Sequence, residues 1–257
     1  MDGYEEFKSE IYKMTKIDLS AYKENQMKRR IESLVNKRSC KSFAEYVGLL
    51  KKDTEVFNEF INFMTINVSN FYRNPEQWKL LVEKFVPELI QKYGKKLKIW
   101  SAACSTGDEP YSLVMALSDL IPMRDVKIYA TDIDKTVIGK AKVGLYNDKS
   151  VVDIPKEKLD KYFTKVGESF RISEEIKRQV EFHEANLLKD PYPKDCDLIV
   201  CRNVLIYFTE EAKHDVYVKF RESLKPGGIL FIGSTEQVMD YKEIGLDRRS
   251  SFFYQRI

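Results

Sequence analysis

The stretch Lys98–Pro110, KIWSAACSTGDEP, decides the fold. Ile99–Ala103 reads as a buried strand, Cys104–Gly107 as a turn of small residues, and Asp108 onwards as the first turn of a helix. A strand, a tight turn and a helix in this order form the unit on which an α/β domain cradles a nucleotide. The turn nevertheless holds a single glycine, where a dinucleotide loop uses three. It also sets two carboxylates, Asp108 and Glu109, where a pyrophosphate would sit.

Outward from this unit the rhythm repeats. Strand candidates are Leu97–Ala103, Val126–Thr131, Val180–Ala185, Cys196–Cys201, Gly228–Gly233 and Phe252–Gln255; helices are expected over Glu109–Leu120, Lys135–Val143, Glu210–Leu224 and Ser234–Met239. Apolar strands interleaved with helices imply a doubly wound, mostly parallel sheet. The Gly-containing segment VGESFRISEEIKRQ interrupts the alternation and predicts a small antiparallel insertion at about residues 158–182. Before residue 67 no strand is legible. Met27, Ile31, Leu34 and Val35 share one helical face, and Phe57, Phe60, Ile61 and Met64 another, which predicts an all-α domain of about four helices over residues 1–66. NVSNFYRNPEQW then marks a linker, residues 67–76, with Pro75 opening a helix towards Gly94; the α/β domain takes residues 77–257.

Composition narrows the class. Of 257 residues 43% are hydrophobic and 32% charged, the balance of a globular protein, and no apolar run is long enough to cross a bilayer. The acidic start MDGYEEFKSE lacks the apolar core of a signal peptide, so a cytoplasmic location without membrane insertion is expected. Four cysteines without a CxxC pair, and only two histidines, argue against a metal site and against an imidazole base. A net charge of +3 gives no reason to expect nucleic acid as a partner.

In a doubly wound sheet ligands bind beyond the carboxyl ends of the strands, where the strand order reverses. Reading one step past each strand gives Ser105-Thr106-Gly107, Asp132, Asn186 and Asn203. Asp132, about 25 residues beyond the turn, is placed to accept from ribose hydroxyls, although an Asp there also serves as a helix cap. Asp108 and Glu109 would repel a pyrophosphate and welcome a cation. S-adenosylmethionine, an adenosine bearing an ammonium and a sulfonium and no phosphate, meets both conditions, and a single glycine suffices for its close approach.

Five segments carry a resemblance: NVSNFYRN, IWSAACSTGDEPYS, ATDIDKTVIGKAKVGLY, ANLL and DLIVCRNVLIYF, in this order and spacing, closely resemble the CheR chemotaxis-receptor glutamate methyltransferases. The resemblance runs to GSTEQ near the C-terminus. It implies a Rossmann-like, class I S-adenosylmethionine-dependent methyltransferase domain behind the helical one. The implied activity esterifies particular glutamates on methyl-accepting chemotaxis proteins and releases S-adenosylhomocysteine. By match to the family motifs the cofactor would contact Asn67, Ser69, Arg73, Glu109, Asp132, Asn186, Leu187, Asn203 and Val204. Ser69 stands where the family usually has Thr; the hydroxyl is kept. Arg73 and Tyr207 are the residues expected to align the reaction, because the matching pair lies near the transferred methyl. The family's small β-subdomain matches the insertion, but its hairpin TKVGESFRI is short beside that of members that grip a receptor tail.

Residues 21–41 hold seven basic residues against two acidic ones, with Lys23, Arg30 and Lys37 recurring every seventh position. This stripe is either a solvated face or a docking surface for the acidic methylation helices of receptors. Nothing suggests an obligate oligomer, so a monomer is expected. The alternative to an enzyme is a non-catalytic receptor-binding protein that senses S-adenosylmethionine or a nucleotide.

Overall fold

The computed structural model describes residues 2–65, 67 and 69–257, which fall into two compact units. One is Met1–Asn67 with Leu205–Asp215, the other Val68–Val204 with Val216–Ile257.

The first unit contains α1 (Tyr4–Thr15), α2 (Glu24–Lys37), α3 (Phe43–Lys52) and α4 (Thr54–Thr65). The start of α3 is closed on itself: Glu45 N donates to Ser42 Oγ at 3.2 Å, and Lys41 N to Glu45 Oε2 at 2.6 Å. Met27, Ile31, Leu34 and Val35 are buried as their spacing requires. On α4 the buried row is Val56, Phe60 and Met64; Phe60 and Met64 are buried as read from sequence, whereas Phe57 and Ile61 are only half-buried and Val56 takes the first place. Phe7 anchors the core, with ring centres 5.0 Å from Phe43 and 6.1 Å from Phe60. Leu205–Asp215 joins this unit from far along the chain. Lys23 N donates to Tyr207 O, Thr209 N donates to Ala21 O, and Tyr22 meets Phe208 edge-on.

The second unit opens with α5 (Pro75–Leu80), a π-helical turn (Leu81–Phe85) and α6 (Val86–Tyr93), the rod that Pro75 announces and Gly94 ends. Then come β1 (Ile99–Ala102), α7 (Asp108–Leu117), β2 (Ile128–Asp132) and α8 (Lys135–Val143). A polar stretch carries β3 (Leu145–Asn147), α9 (Asp148–Val151), α10 (Lys156–Tyr162), β4 (Phe163–Val166), β5 (Ser169–Ile172) and α11 (Glu174–Lys177). The remaining elements are β6 (Val180–Glu184), β7 (Cys196–Cys201), α12 (Glu210–Ser223), β8 (Leu224–Ile232), β9 (Leu246–Ser250) and β10 (Phe253–Arg256).

Seven strands form one sheet in the order β6-β2-β1-β7-β8-β10-β9. The first five are parallel; β10 runs antiparallel to both β8 and β9. Because β1 feeds β2 on one side and borders β7 on the other, the order reverses between β1 and β7. Every residue of β1 and of β7 is buried, as strands covered on both faces must be. A second, antiparallel sheet has the order β3-β5-β4, its hairpin turning at Gly167 with φ +63°. The expected insertion is therefore a three-stranded sheet that also recruits β3, upstream of residue 158. Two expectations change. Ser234–Met239 forms turns rather than a helix, and β9, whose LDRRS buries only Leu246, is a strand without an apolar pattern. Among the described residues no helix is long and apolar enough to cross a membrane.

Candidate functional site

The carboxyl edge of the parallel strands gathers the site. After β1 the chain makes a tight turn in which Ala103 (φ +61°), Ser105 (φ +49°) and Gly107 (φ +89°) are all left-handed. Packing alone already requires the glycine. A Cβ there would lie 2.9 Å from Ala141 Cβ and 3.0 Å from Tyr111 Cε2, inside the protein's own contacts. The turn is held from neighbouring elements. Cys104 N donates to Thr131 O at 2.9 Å, Tyr146 Oη to Thr106 O at 2.8 Å, and Ser105 N to Asp132 Oδ2 at 2.8 Å.

Asp132 also accepts from Asp134 N at 3.0 Å, while the cap of α8 falls to Asp134, whose Oδ1 accepts from Thr136 N. Asp132 thus ties the turn after β1 to the loop after β2. Burial raises its carboxyl to about 6. At the start of α7, Asp108 is fully buried, accepts from Thr106 Oγ1 at 2.5 Å, and is raised by burial to about 6. Glu109 accepts from Ser101 Oγ at 2.9 Å; burial raises it to about 7 against the opposing charges of Arg202 and Arg73. Carboxyls in this state gain from a cationic ligand, which restores the ionised form that burial disfavours.

Beyond β6, Asn186 Oδ1 accepts from Leu188 N at 2.9 Å and Asp190 Oδ2 from Asn186 N at 2.7 Å. Leu187 is buried and its carbonyl accepts from Tyr192 Oη. Beyond β7 lie three residues in a row with distinct duties. Arg202 is buried, its Nη2 lying 2.6 Å from Arg73 O, 3.0 Å from Asn74 Oδ1 and 3.1 Å from Gln77 Oε1, and its guanidinium 4.7 Å from the centre of the Phe231 ring. Asn203 is left-handed, with φ +60°. Its backbone N–H and those of Val204 and Gly233 all donate to one carboxylate, Glu236, at 2.8, 3.0 and 2.7 Å. Gly233 permits this clamp, since a Cβ would meet Asn203 N at 2.6 Å and Glu236 Oε2 at 2.7 Å.

Sequence reading missed Arg202, Ser101 and Glu236. Arg202 lies inside CRNV and Glu236 inside GSTEQ, segments read as motifs without a duty for these side chains. The other expected residues are placed as follows. Arg73 belongs to this unit, its carbonyl accepting from Trp78 Nε1 at 3.0 Å as well as from Arg202. Ser69 is half-buried in the same unit. Asn67 belongs to the helical unit, where its Nδ2 donates to Thr65 Oγ1 at 2.8 Å, and so does Tyr207, in a short 3-10 turn. On α2, Arg30 donates to Phe63 O with its guanidinium 4.4 Å from that ring, and Lys37 pairs with Glu59 Oε1 at 2.5 Å. Lys23 sits at the helix start.

Ser105 Oγ, Asp108 Oδ1 and Asn203 Oδ1 are buried without a hydrogen-bond partner among the described residues. Polar atoms in this condition are what a polar ligand satisfies. Together with carboxylates at the α7 start in place of a glycine-rich phosphate nest, they fit S-adenosylmethionine.

Comparison with known proteins gives the same chemistry. The model described as "CheR methyltransferase, SAM binding domain" matches residues 67–248, and "CheR methyltransferase, all-alpha domain" matches residues 2–65. The chain is similar to the "Chemotaxis protein methyltransferase" of Listeria monocytogenes, with 42% identity over 238 residues, 93% of this chain and 91% of that protein. The protein of the same name from Borreliella burgdorferi is 33% identical over 247 residues, 91% of this chain and 87% of that protein. That of Salmonella typhimurium is 33% identical over 236 residues, 88% and 80% of the two chains.

Proposed function

Because the chain belongs to the CheR methyltransferase family and carries its S-adenosylmethionine-binding domain, we propose that it esterifies glutamate side chains of methyl-accepting chemotaxis receptors. The observation that carries this reading is the pairing, at one sheet edge, of carboxyls raised by burial with unpartnered polar atoms and no phosphate nest. S-adenosylmethionine, when bound there, supplies a methyl group on a positively charged sulfur.

The chain's own residues then have three tasks. The first is holding the adenosine. Asp132 accepts from the ribose, Asn186 with Leu187 borders the base, and the Asn203–Val204 backbone, fixed by Glu236, frames the opposite side. The second is holding the cationic end against Glu109, whose ionised form that charge favours. The third is alignment of the acceptor. A glutamate acceptor with an ordinary pKa of about 4.3 is already an anion at neutral pH, so no base is needed. His183 is accordingly spent on β6, bonded to Glu181 at 2.8 Å and stacked on Tyr129. Alignment falls to Arg73, whose fork suits a carboxylate and whose backbone is pinned by Trp78 and Arg202, and to Tyr207. Good alignment is worth roughly 7–11 kcal/mol of barrier. Asn67 and Ser69 complete the cofactor contacts in this reading.

Lys23, Arg30 and Lys37 on α2 are assigned to docking the acidic receptor helices. Because Arg30 and Lys37 also serve Phe63 and Glu59, the charge they offer is smaller than the sequence count.

Methyl transfer from radiolabelled S-adenosylmethionine to receptor-bearing membranes tests the proposal. Label that base releases as methanol supports it; base-stable label, or none, replaces it with another acceptor or with a sensor.

A further inference from the structure

A hollow of about 1040 Å³ opens at the amino ends of β1, β2 and β6, the far end of the sheet from the site above. Leu97, Ile99 and Ile128, all buried, and the half-buried Val180 stand behind it. Its rim carries Lys96, Lys98, Arg124, Lys127 and Arg178, against which stand only Asp125 and Glu181. The positive surplus at this one place equals that of the whole chain.

The rim carries more cations than carboxylates, whereas several cations elsewhere are paired. Lys158 pairs with Asp119, Lys225 with Asp197, and Arg249 with Glu88. Here Glu181 is taken by His183, Lys98 Nζ donates to Lys194 O, and Lys127 Nζ to Gln179 Oε1 at 3.0 Å. Lys96, Arg124 and Arg178 have no carboxylate at ion-pair distance among the described residues, although Glu174, its carboxyl lowered chiefly by Lys177, lies near enough to Arg178 to be lowered by that charge as well. The backbone that carries the rim is fixed. Lys98 N donates to the buried Asp197 Oδ2 at 2.7 Å, Lys98 O accepts from Asp197 N at 2.9 Å, and Ile128 N donates to Gln179 O at 2.8 Å. Lys127 and Arg178 adjoin the bonded pair Ile128 and Gln179, so their backbone loses little freedom when a ligand arrives.

We propose that this hollow binds an acidic polypeptide segment in extended conformation. Carboxylates of the segment meet Lys96, Arg124 and Arg178. Two features select a polypeptide over nucleic acid. The hollow reaches Val180 and Glu181 on β6, an edge strand that pairs with β2 alone, so a peptide finds main-chain donors and acceptors there. Its one aromatic, Tyr129, is already stacked on His183 with ring centres 4.7 Å apart, which removes a face on which a base would stack.

The test uses the full chain and a short fluorescein-labelled peptide alternating Glu and Leu, followed by polarisation at low and moderate salt. The wild type binds with an affinity that weakens as salt rises, and K96E/R124E/R178E binds at least about tenfold more weakly. S-adenosylhomocysteine binding, measured in parallel, reports that the variant is folded. The proposal is overturned if the wild type ignores the peptide, or if the folded variant binds it equally well. It is also overturned if oligouridylate or phosphatidylglycerol vesicles occupy the same residues more tightly than the peptide does. Each arm reads binding alone, so the result stands apart from whether the chain methylates receptors.

Discussion

The two ends of one sheet handle charge in opposite ways. At the carboxyl edge Asp108, Glu109 and Asp132 are drawn inward, braced by neighbouring N–H and O–H groups, and raised by burial. At the amino edge Lys96, Arg124 and Arg178 stand out in water on a floor of strand starts. The same parallel strands carry both. An inward charge is selective and costly; an outward one is cheap and long-ranged. The carboxyl edge is therefore built to discriminate one small cation, and the amino edge to attract an acidic chain.

The largest effect expected at the carboxyl edge comes from Arg73→Ala. Misplacing the acceptor by an ångström costs about 100-fold in turnover, with cofactor affinity changed far less. Tyr207→Phe should fall in the same direction. Single-turnover rates of both variants at the wild-type level would remove alignment from these two residues.

Next comes Glu236, which acts through the backbone of Asn203, Val204 and Gly233. Glu236→Ala strands three N–H groups and should cost about 3 kcal/mol or more of stability. Glu236→Gln keeps one carbonyl oxygen, which suits the two donors now on Oε2, and turns an amide N–H towards Val204 N. Its loss should lie between wild type and Ala, and S-adenosylhomocysteine affinity should follow the same ranking, about tenfold down for Gln. Equal cofactor affinity in the three proteins would show that the clamp serves the fold alone.

Periodicity made the sheet legible because its central strands are buried on both faces: the strand Cys196–Cys201 falls where its pattern ends, as does the helix Lys135–Val143. β3 and β9 escaped because these edge strands are short and mostly exposed, Leu145–Asn147 and Leu246–Ser250 burying one residue each, and β9 is charged as well. At the site, Asp132, Asn186 and Asn203 were readable as residues one step past a strand. Glu236 was not, because its partners are backbone N–H groups with no side-chain signature, 33 residues away at Asn203. The grouping of Leu205–Asp215 with the helices was hidden for the same reason: it rests on main-chain bonds to Ala21 and Lys23.

Protonation gives a smaller, graded effect. Glu109 titrates at about 7, and Asp108 and Asp132 at about 6. A cationic ligand prefers the ionised carboxyls, so its affinity is full above pH 7 and is lost as pH falls through that value. Between about pH 8 and pH 6 the Kd for S-adenosylmethionine should rise about tenfold for one such group. Stability without ligand runs the other way. Carboxyls raised in the folded state hold protons that the unfolded chain has released, so stability declines as pH rises from about 4.5 to about 7. The ligand-induced shift in Tm should hence be larger at pH 8 than at pH 6, and Glu109→Gln should flatten much of that difference. A pH-independent Kd in the wild type would place the ligand's positive charge away from Glu109.

The smallest effect is the sharpest discriminator of the two edges. Charges enclosed by protein are screened little by salt, whereas exposed ones are screened over about 10 Å at 0.1 M. Raising ionic strength from about 0.05 to about 0.5 M should change S-adenosylmethionine affinity by less than about twofold, since Asp108 and Asp132 are almost wholly enclosed. Calorimetry at the two salt concentrations measures it directly. A steep loss would mean that the carboxyl edge reads its ligand through water as the amino edge does, and that the inward placement of its carboxyls contributes nothing to recognition.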